Sequence, residues 1–277
     1  MRKRWLLGIP IVLVAAGAAV AYSWWMKPYE LPAADSGISL EQYGMTFTNE
    51  RSAHPHATAM SLTALKQSVT EFPDNMAYSN ALRIEMASRG KHEDFIAFVD
   101  QLDDHSPRLQ LQKALAYVDQ LQNPDLGTAS LGQLSSRSIS AVSEILEDNP
   151  YDLLAHYARG LNNIYWPSGL QRTGKAIQDL AYCLAAAKQL ESETASPLWP
   201  LIYIAYGDAL VKDGRVKEGI EVWKDGAAQY PMDDVLGDLA GLNADAALNH
   251  VRDVRGIDAF QRPDPDISDL SILWSSL

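Results

Sequence analysis

Cysteine is almost absent from this chain: Cys183 stands alone among 277 residues. A single thiol excludes an intramolecular disulfide, a multi-cysteine zinc site and the C-x-x-C motifs of redox centres and haem attachment. No cysteine stands directly after the apolar N-terminal run, so a lipoprotein anchor is excluded too. Cys183 itself reads as a small apolar core residue on a helix. Basic charge is scarce beyond the N-terminus. Four of the 23 Lys and Arg lie in the first 27 residues, where no acidic group occurs. Residues 28–277 therefore carry 19 basic groups against 35 acidic ones, a net charge of −16. Such a field repels phosphate backbones and anionic lipid and attracts basic surfaces, so nucleic acid is not an expected partner. Sustained alternation of Val, Ile, Thr and aromatics is missing, which argues against strands. No G-x-S-x-G, P-loop or dinucleotide fingerprint occurs. His54-Pro55-His56 is a lone H-x-H, whereas metal sites need three or four ligands. The other histidines are isolated, and Asp103-Asp104 and Asp233-Asp234 read as solvated pairs in turns. The sequence thus predicts no catalytic residue, no cofactor and no metal.

What is present begins at the front. Arg2, Lys3 and Arg4 precede an uncharged run from Trp5 to Met26, closed by Lys27. As a helix those residues would span about 33 Å, enough to cross a bilayer core. Trp24 and Trp25 stand where an interfacial aromatic belt would lie, and the basic cluster puts the N-terminus in the cytoplasm. A cleaved secretory signal is the rival reading, because Ala19-Val20-Ala21 is an A-x-A site. Either way the remainder is exported, and the run's length and its Trp pair favour an uncleaved anchor. The expected location is the cytoplasmic membrane, single-pass, with the bulk of the chain extracytoplasmic. The expected organisation is an anchor over 1–27, a spacer over 28–57, helical repeats over 58–250 and a tail over 251–277. Ser39 with Gln42 could cap one short turn within the spacer.

Five prolines frame the repeats. Pro73, Pro107, Pro150, Pro197 and Pro231 are separated by 34, 43, 47 and 34 residues. Each comes near the start of a segment with helical apolar period, and 34 is the length of a helix–turn–helix repeat. In Ser106-Pro107, Asn149-Pro150 and Ser196-Pro197 a side-chain acceptor precedes a proline, the pattern of an N-cap followed by the first helical residue. The segment from Pro197 to Pro231 resembles the tetratricopeptide (TPR) family, with Tyr203, Tyr206, Gly207 and Leu210 on a first helix and Gly219, Trp223 and Pro231 after it. Gly214 fits the turn between them, where φ is positive. Trp223 is expected to plug the gap to the next unit. The segment from Pro150 keeps small residues at Gly160 and Ala176, with extra residues within 165–169 lengthening its turn. In the segment from Pro73, Gly90 is correctly placed, but Arg83 and Phe95 stand where small residues belong. The predicted fold is all-α, a TPR-like solenoid of helical hairpins behind one transmembrane helix.

The resemblance implies a non-catalytic binder of a protein or peptide, with first helices lining the binding face. On the helix after Pro150, Tyr157, Leu161 and Tyr165 are spaced by four, with Arg159, Asn162 and Asn163 beside them and Trp166 following. They read as a recognition patch, amides pairing with an extended backbone and aromatics giving contact area. The alternative makes the aromatics inter-helix core and the Asn pair a helix end. Trp199, Tyr203 and Tyr206 read as packing, which leaves Ile204, Asp208 and Val211 as groove-facing candidates. In the tail, Arg262-Pro263-Asp264-Pro265 stops helix. Ile267, Leu270, Leu273, Trp274 and Leu277 then recur at helical spacing, as a cap on the last repeat or as a docking tail. The function expected is an adaptor or assembly factor of an envelope complex. The alternatives are a permanent accessory subunit of a membrane enzyme and a helical metal-dependent enzyme.

Overall fold

The computed structural model describes residue 25, residues 27–34 and residues 37–275. The chain divides into two units, Met1–Glu30 and Leu31–Leu277. In the first, Lys27 and Glu30 form an exposed ion pair at 2.8 Å. The expected anchor falls almost wholly outside the described residues. Among the described residues no helix is long and apolar enough to cross a membrane.

Among the described residues of the second unit every regular element is helical. Helices α1 (Thr48–Ala57) and α2 (Leu62–Glu71) lead into five consecutive pairs. These are α3 (Met76–Ala87) with α4 (His92–Leu102), α5 (Pro107–Gln120) with α6 (Thr128–Asp148), and α7 (Leu153–Ile164) with α8 (Thr173–Leu190). They continue as α9 (Leu198–Lys212) with α10 (Val216–Gln229), and α11 (Asp234–Ala240) with α12 (Ala244–Arg255). Neighbouring helices pack along most of this order, and first helices also touch across pairs, α3 with α5 and α7 with α9. Every framing proline stands at or within three residues of a first helix. The spacings of 43 and 47 arise because α6 runs 21 residues and α8 runs 18, against 14 for α10. The turn after α7 is lengthened as expected, by a 3-10 turn at Ser168–Leu170.

The caps follow the proline reading only in part. Ser106 caps α5 with Pro107 at its first position. At the next boundary the cap is Asp152, whose Oδ1 accepts from Ala155 N at 2.9 Å, while Asn149 Oδ1 accepts from Tyr151 N and closes the turn before it. A carboxylate at the positive end of the helix is the stronger cap, so the helix starts there and not at Pro150. At α9 the N-cap position is Pro197 itself, and Ser196 Oγ accepts from Leu198 N at 3.2 Å.

Of residues 28–57, expected to be a spacer, the described ones from residue 31 onward are built into the fold. Gln189 of α8 donates to Ala34 O at 3.1 Å. Ser39 and Gln42 exchange the predicted hydrogen bonds, at 2.9 and 3.2 Å. Tyr43 O then accepts from Leu153 N at 3.0 Å, and Arg108 donates to Gly44 O, which ties this strap to the starts of α5 and α7. Tyr43, Met45 and Phe47 are buried, and α1 packs on α3. The breakers Pro32, Gly37 and Gly44 do interrupt any long helix, but Leu31, Ala34, Ile38 and Leu40 pack half-buried against the core of the solenoid.

The α9–α10 pair shows how tightly the helices approach. Trp223 is fully buried, and a Cβ on Gly207 would lie 2.2 Å from its Nε1. A Cβ on Gly219 would lie 2.6 Å from Gly207 O. The indole also donates to Ile204 O at 3.2 Å and meets His250 of α12 edge-on, at a centroid distance of 6.1 Å. Trp223 thus fills its own hairpin as well as the gap to the next. Gly214 makes the intervening turn at φ +85. Replacing Trp223 with Ala opens a cavity no neighbour can close, and the expected loss is about 3–5 kcal/mol. Urea denaturation of the variant measures it, and a midpoint equal to that of the unaltered chain would refute this packing.

Candidate functional site

The C-terminal tail decides where a site can be. Helix α12 ends at Gly256, whose φ of +64 turns the chain back. A Cβ there would meet Ala259 O at 2.7 Å, so the reversal depends on glycine. Residues 257–275 then run along the first helices towards the start of the unit, as an irregular segment with a 3-10 turn at Pro265–Ser268 and one short helix, α13 (Ile272–Ser275). Ile257 O accepts from Ser168 N at 2.8 Å, and Gln261 N donates to Tyr165 O at 3.2 Å. Arg262 then donates to Leu121 O and Leu126 O, at 2.9 and 3.0 Å, across the α5–α6 turn. Further along, Arg83 of α3 donates to Ser268 O at 2.5 Å, and Asn80 donates to Asp269 Oδ1 at 2.8 Å. Trp274 ends the path buried against Phe47, its Nε1 donating to His54 Nδ1 at 3.2 Å. The tail therefore does fold back, but along the inner faces of the earlier pairs and not over the last repeat.

Between this tail and the solenoid lies a cavity of about 610 Å³. Leu111 and Leu115 of α5, Leu161 of α7 and Leu201 of α9 form its floor, and Phe260, Ile267 and Leu270 of the tail form its roof. Its polar margin includes Asn162, Tyr165 and Arg255. Arg255 donates to Asp208 Oδ2 at 2.7 Å and to the Tyr165 hydroxyl. Lys212 Nζ donates to Ile164 O at 2.6 Å and to Arg255 O at 2.9 Å, so one ammonium satisfies the C-terminal ends of two helices. Burial, with the Arg255 guanidinium adding in the same direction, pulls Lys212 down to about 7. Burial also pushes the Tyr157 and Tyr165 phenols above their ordinary value, so both remain neutral. A leucine floor with a few fixed donors suits an apolar segment whose backbone carries the polar contacts. Among the described residues no group of three or more His, Cys, Asp or Glu could hold a metal ion.

A single inner face is built from the first helices of stacked hairpins and is opposed by an extended segment. The chain is similar to a thermophilic TPR protein of Thermus thermophilus, whose crystal structure aligns at a TM-score of 0.51 and 18% identity, over 74% of this chain and 100% of that one. The fold is TPR-like. No family model matches the chain, and no curated protein matches it in sequence.

On this TPR-like frame the sequence-predicted residues separate. Tyr157, Asn162 and Tyr165 line the cavity. Arg159 does not project towards a partner, because its Nε and Nη2 hold the buried Asp179 at 2.9 and 2.8 Å. His156 reaches the same carboxylate at 2.8 Å. Asn163 is fully buried and donates to Arg159 O at 2.9 Å, one turn back in its own helix. Asn162 donates to Ser138 Oγ at 3.2 Å and Ala158 O at 3.1 Å. The Asn pair is thus not an open recognition patch: it stands in the last turn of α7, which ends at Ile164, and its amides bond inside the fold, Asn163 to its own helix and Asn162 also to α6. Trp166 is buried, with Nε1 donating to Ser135 Oγ at 2.8 Å. Val211 is buried against Gly219, Asp208 is buried on Arg255, and Ile204 is half-buried with its carbonyl on Trp223. Trp274 sits at the far end of the tail path.

Arg83 is the residue sequence reasoning passed over. It is 1% exposed, and besides the tail it holds Gln112 Oε1 at 2.8 Å, Asp119 Oδ2 at 2.5 Å and Asn80 Oδ1 at 3.0 Å. The available signal was its occurrence where the repeat pattern wants a small residue: an Arg there must be buried, and a buried Arg must have been given acceptors. Changing Asn162 and Asn163 together to Ala removes hydrogen bonds inside the fold, and stability is expected to fall by about 1–3 kcal/mol despite alanine's better helix propensity. A melting temperature that stays level or rises would return these amides to partner binding.

Proposed function

We propose that this protein is a non-catalytic adaptor or assembly factor that holds a segment of a protein partner on the inner face of its TPR-like solenoid. The observation that carries the reading is the groove over α5, α7 and α9, apolar in its floor and already seating an extended polypeptide by its backbone. A scaffold of stacked hairpins offers one long surface, and such surfaces act by binding. Beyond the groove the chain's acidic exterior favours approach by partners with basic surfaces. The basic cluster and apolar run of residues 2–26 support a membrane-anchored placement, N-terminus in the cytoplasm, with the solenoid working outside it on an envelope complex.

Leu201 is half-buried on the groove floor, so Leu201→Glu can be accommodated while making the floor polar. Affinity purification from native membranes should recover a defined partner with the unaltered chain, lose it with Leu201→Glu, and keep it with Glu147→Lys on the exposed side of α6. Equal recovery with all three chains would place the binding surface elsewhere. For the anchor, intact-mass measurement of the membrane-extracted protein should show the N-terminal segment retained. A mature chain that begins at Tyr22 would make the protein a released, exported one.

A further inference from the structure

From the way the groove is filled we infer that residues 257–275 are an in-cis occupant, exchanged for a partner segment of the same chemistry: extended, with a carboxylate flanked by apolar side chains. The inference rests on the groove being the partner-binding face. It goes further by stating what that partner looks like and what it must remove.

The tail's contacts are those a separate peptide would make. Besides the contacts of Ile257, Gln261, Arg262 and Trp274, two backbone carbonyls accept from donors of α3 and of the turn after α5, Ser268 O from Arg83 at 2.5 Å and Pro263 O from Gln122 Nε2 at 2.9 Å. One more is a side-chain pairing, Asp269 Oδ1 with Asn80 Nδ2 at 2.8 Å, and Asn80 Oδ1 accepts in return from Leu270 N at 3.3 Å. Asn80 thus reads a carboxylate and the next peptide N–H together. That pairing calls for an acidic residue followed by one with a free peptide N–H, and the cavity that Leu270 lines makes an apolar side chain the fitting one there.

The tail also fits incompletely. Protein interiors pack at the density of organic crystals, yet about 610 Å³ stays open between its apolar side chains and the leucine floor. Ile267 and Leu270 are only partly buried over a floor that could take larger groups. An occupant with bulkier apolar residues at those two places would gain contacts that the tail forgoes. Its Asp264 and Asp266 side chains are exposed, adding like charge to an already acidic molecule. The tail therefore holds the groove in the absence of a partner and yields to a better-fitting segment. The glycine hinge at Gly256 supplies the pivot.

The test uses the full chain, with a fluorescent peptide of residues 257–275 as probe. Hydrogen exchange should show the Leu270 amide exchanging at least about ten-fold faster than the interior amides of α7, the sign of opening without global unfolding. The double variant Arg262→Ala, Trp274→Ala weakens the tail's two end anchors. It should bind the peptide at least about ten-fold more tightly than the unaltered chain while α7 exchange stays the same. An Asp269→Ala peptide should bind about ten-fold more weakly, and a peptide with Phe at positions 267 and 270 should bind more tightly. Leu270 and α7 amides that exchange together, or a peptide that binds both chains equally, would make the tail a fixed part of the core and overturn the proposal. Doubling of the molecular mass of the variant through swapped tails would overturn it in favour of a second copy as occupant. A native partner captured through Leu201, with a peptide that binds neither chain, would sink the mimicry and leave the groove reading standing. A peptide that behaves as expected, with native capture indifferent to Leu201, would sink the groove reading and leave tail exchange standing.

Discussion

One buried cation organises the inner face. Arg83 brings a guanidinium into a place with 1% exposure, and a charge there is tolerable only if it is paired and its N–H groups are accepted. Asp119 neutralises it from α5, Gln112 takes its Nε–H from the same helix, Asn80 receives it within α3, and Ser268 O completes the set from the tail. The first two hairpins are thereby locked to each other by the side chain that also binds the tail. The ion pair and the two amides remain when the tail leaves, so the hairpins keep their junction. The carbonyl does not remain, and a buried N–H left without its acceptor costs about 1–3 kcal/mol. The cation thus rewards any polypeptide that offers a carbonyl at that point.

At the other end of the groove Lys212 plays the matching part. Its ammonium takes the carbonyls of Ile164 and Arg255, joining the ends of α7 and α12, while the Arg255 side chain crosses to Asp208 and Tyr165. Three hairpins meet in that knot, beside the point where the tail departs. The rigid part of the structure therefore surrounds the groove at both ends. Between them the tail touches floor and turns without filling the space.

How much of this is legible in the sequence follows from the range of the interaction concerned. The proline frame, the Gly207–Trp223 contact and the positive φ of Gly214 are settled within one hairpin, and each leaves its mark within about 34 residues. The caps are less legible, because Asp152 outcompetes Asn149 three residues on, a contest between neighbours that spacing alone does not decide. The strap at 37–47 reads as a linker since its breakers are visible and its burial depends on α5 and α7 far downstream. The Asn162 and Asn163 amides look like recognition groups when the helix is read as running on past them, because mid-helix Asn asks for a partner; α7 in fact ends at Ile164. They have partners, one turn back and on α6, and only the three-dimensional placement says so. The tail is legible as amphipathic and no further: Arg83 and Ser268 lie 185 positions apart, and no periodicity carries that contact.

The two scales of charge then fit together. At long range residues 28–277 are strongly acidic, a field that attracts basic surfaces in general and that salt weakens. At contact range the groove offers donors, Asn80, Arg83 and Gln122, to carbonyls and to one carboxylate. On the proposed reading, approach and seating select for different features of the partner, a basic surround and an acidic-apolar insert. The tail meets the second requirement and fails the first, being acidic on an acidic body. That mismatch, together with the unfilled space above the leucine floor, is what a segment that gives way to a partner requires.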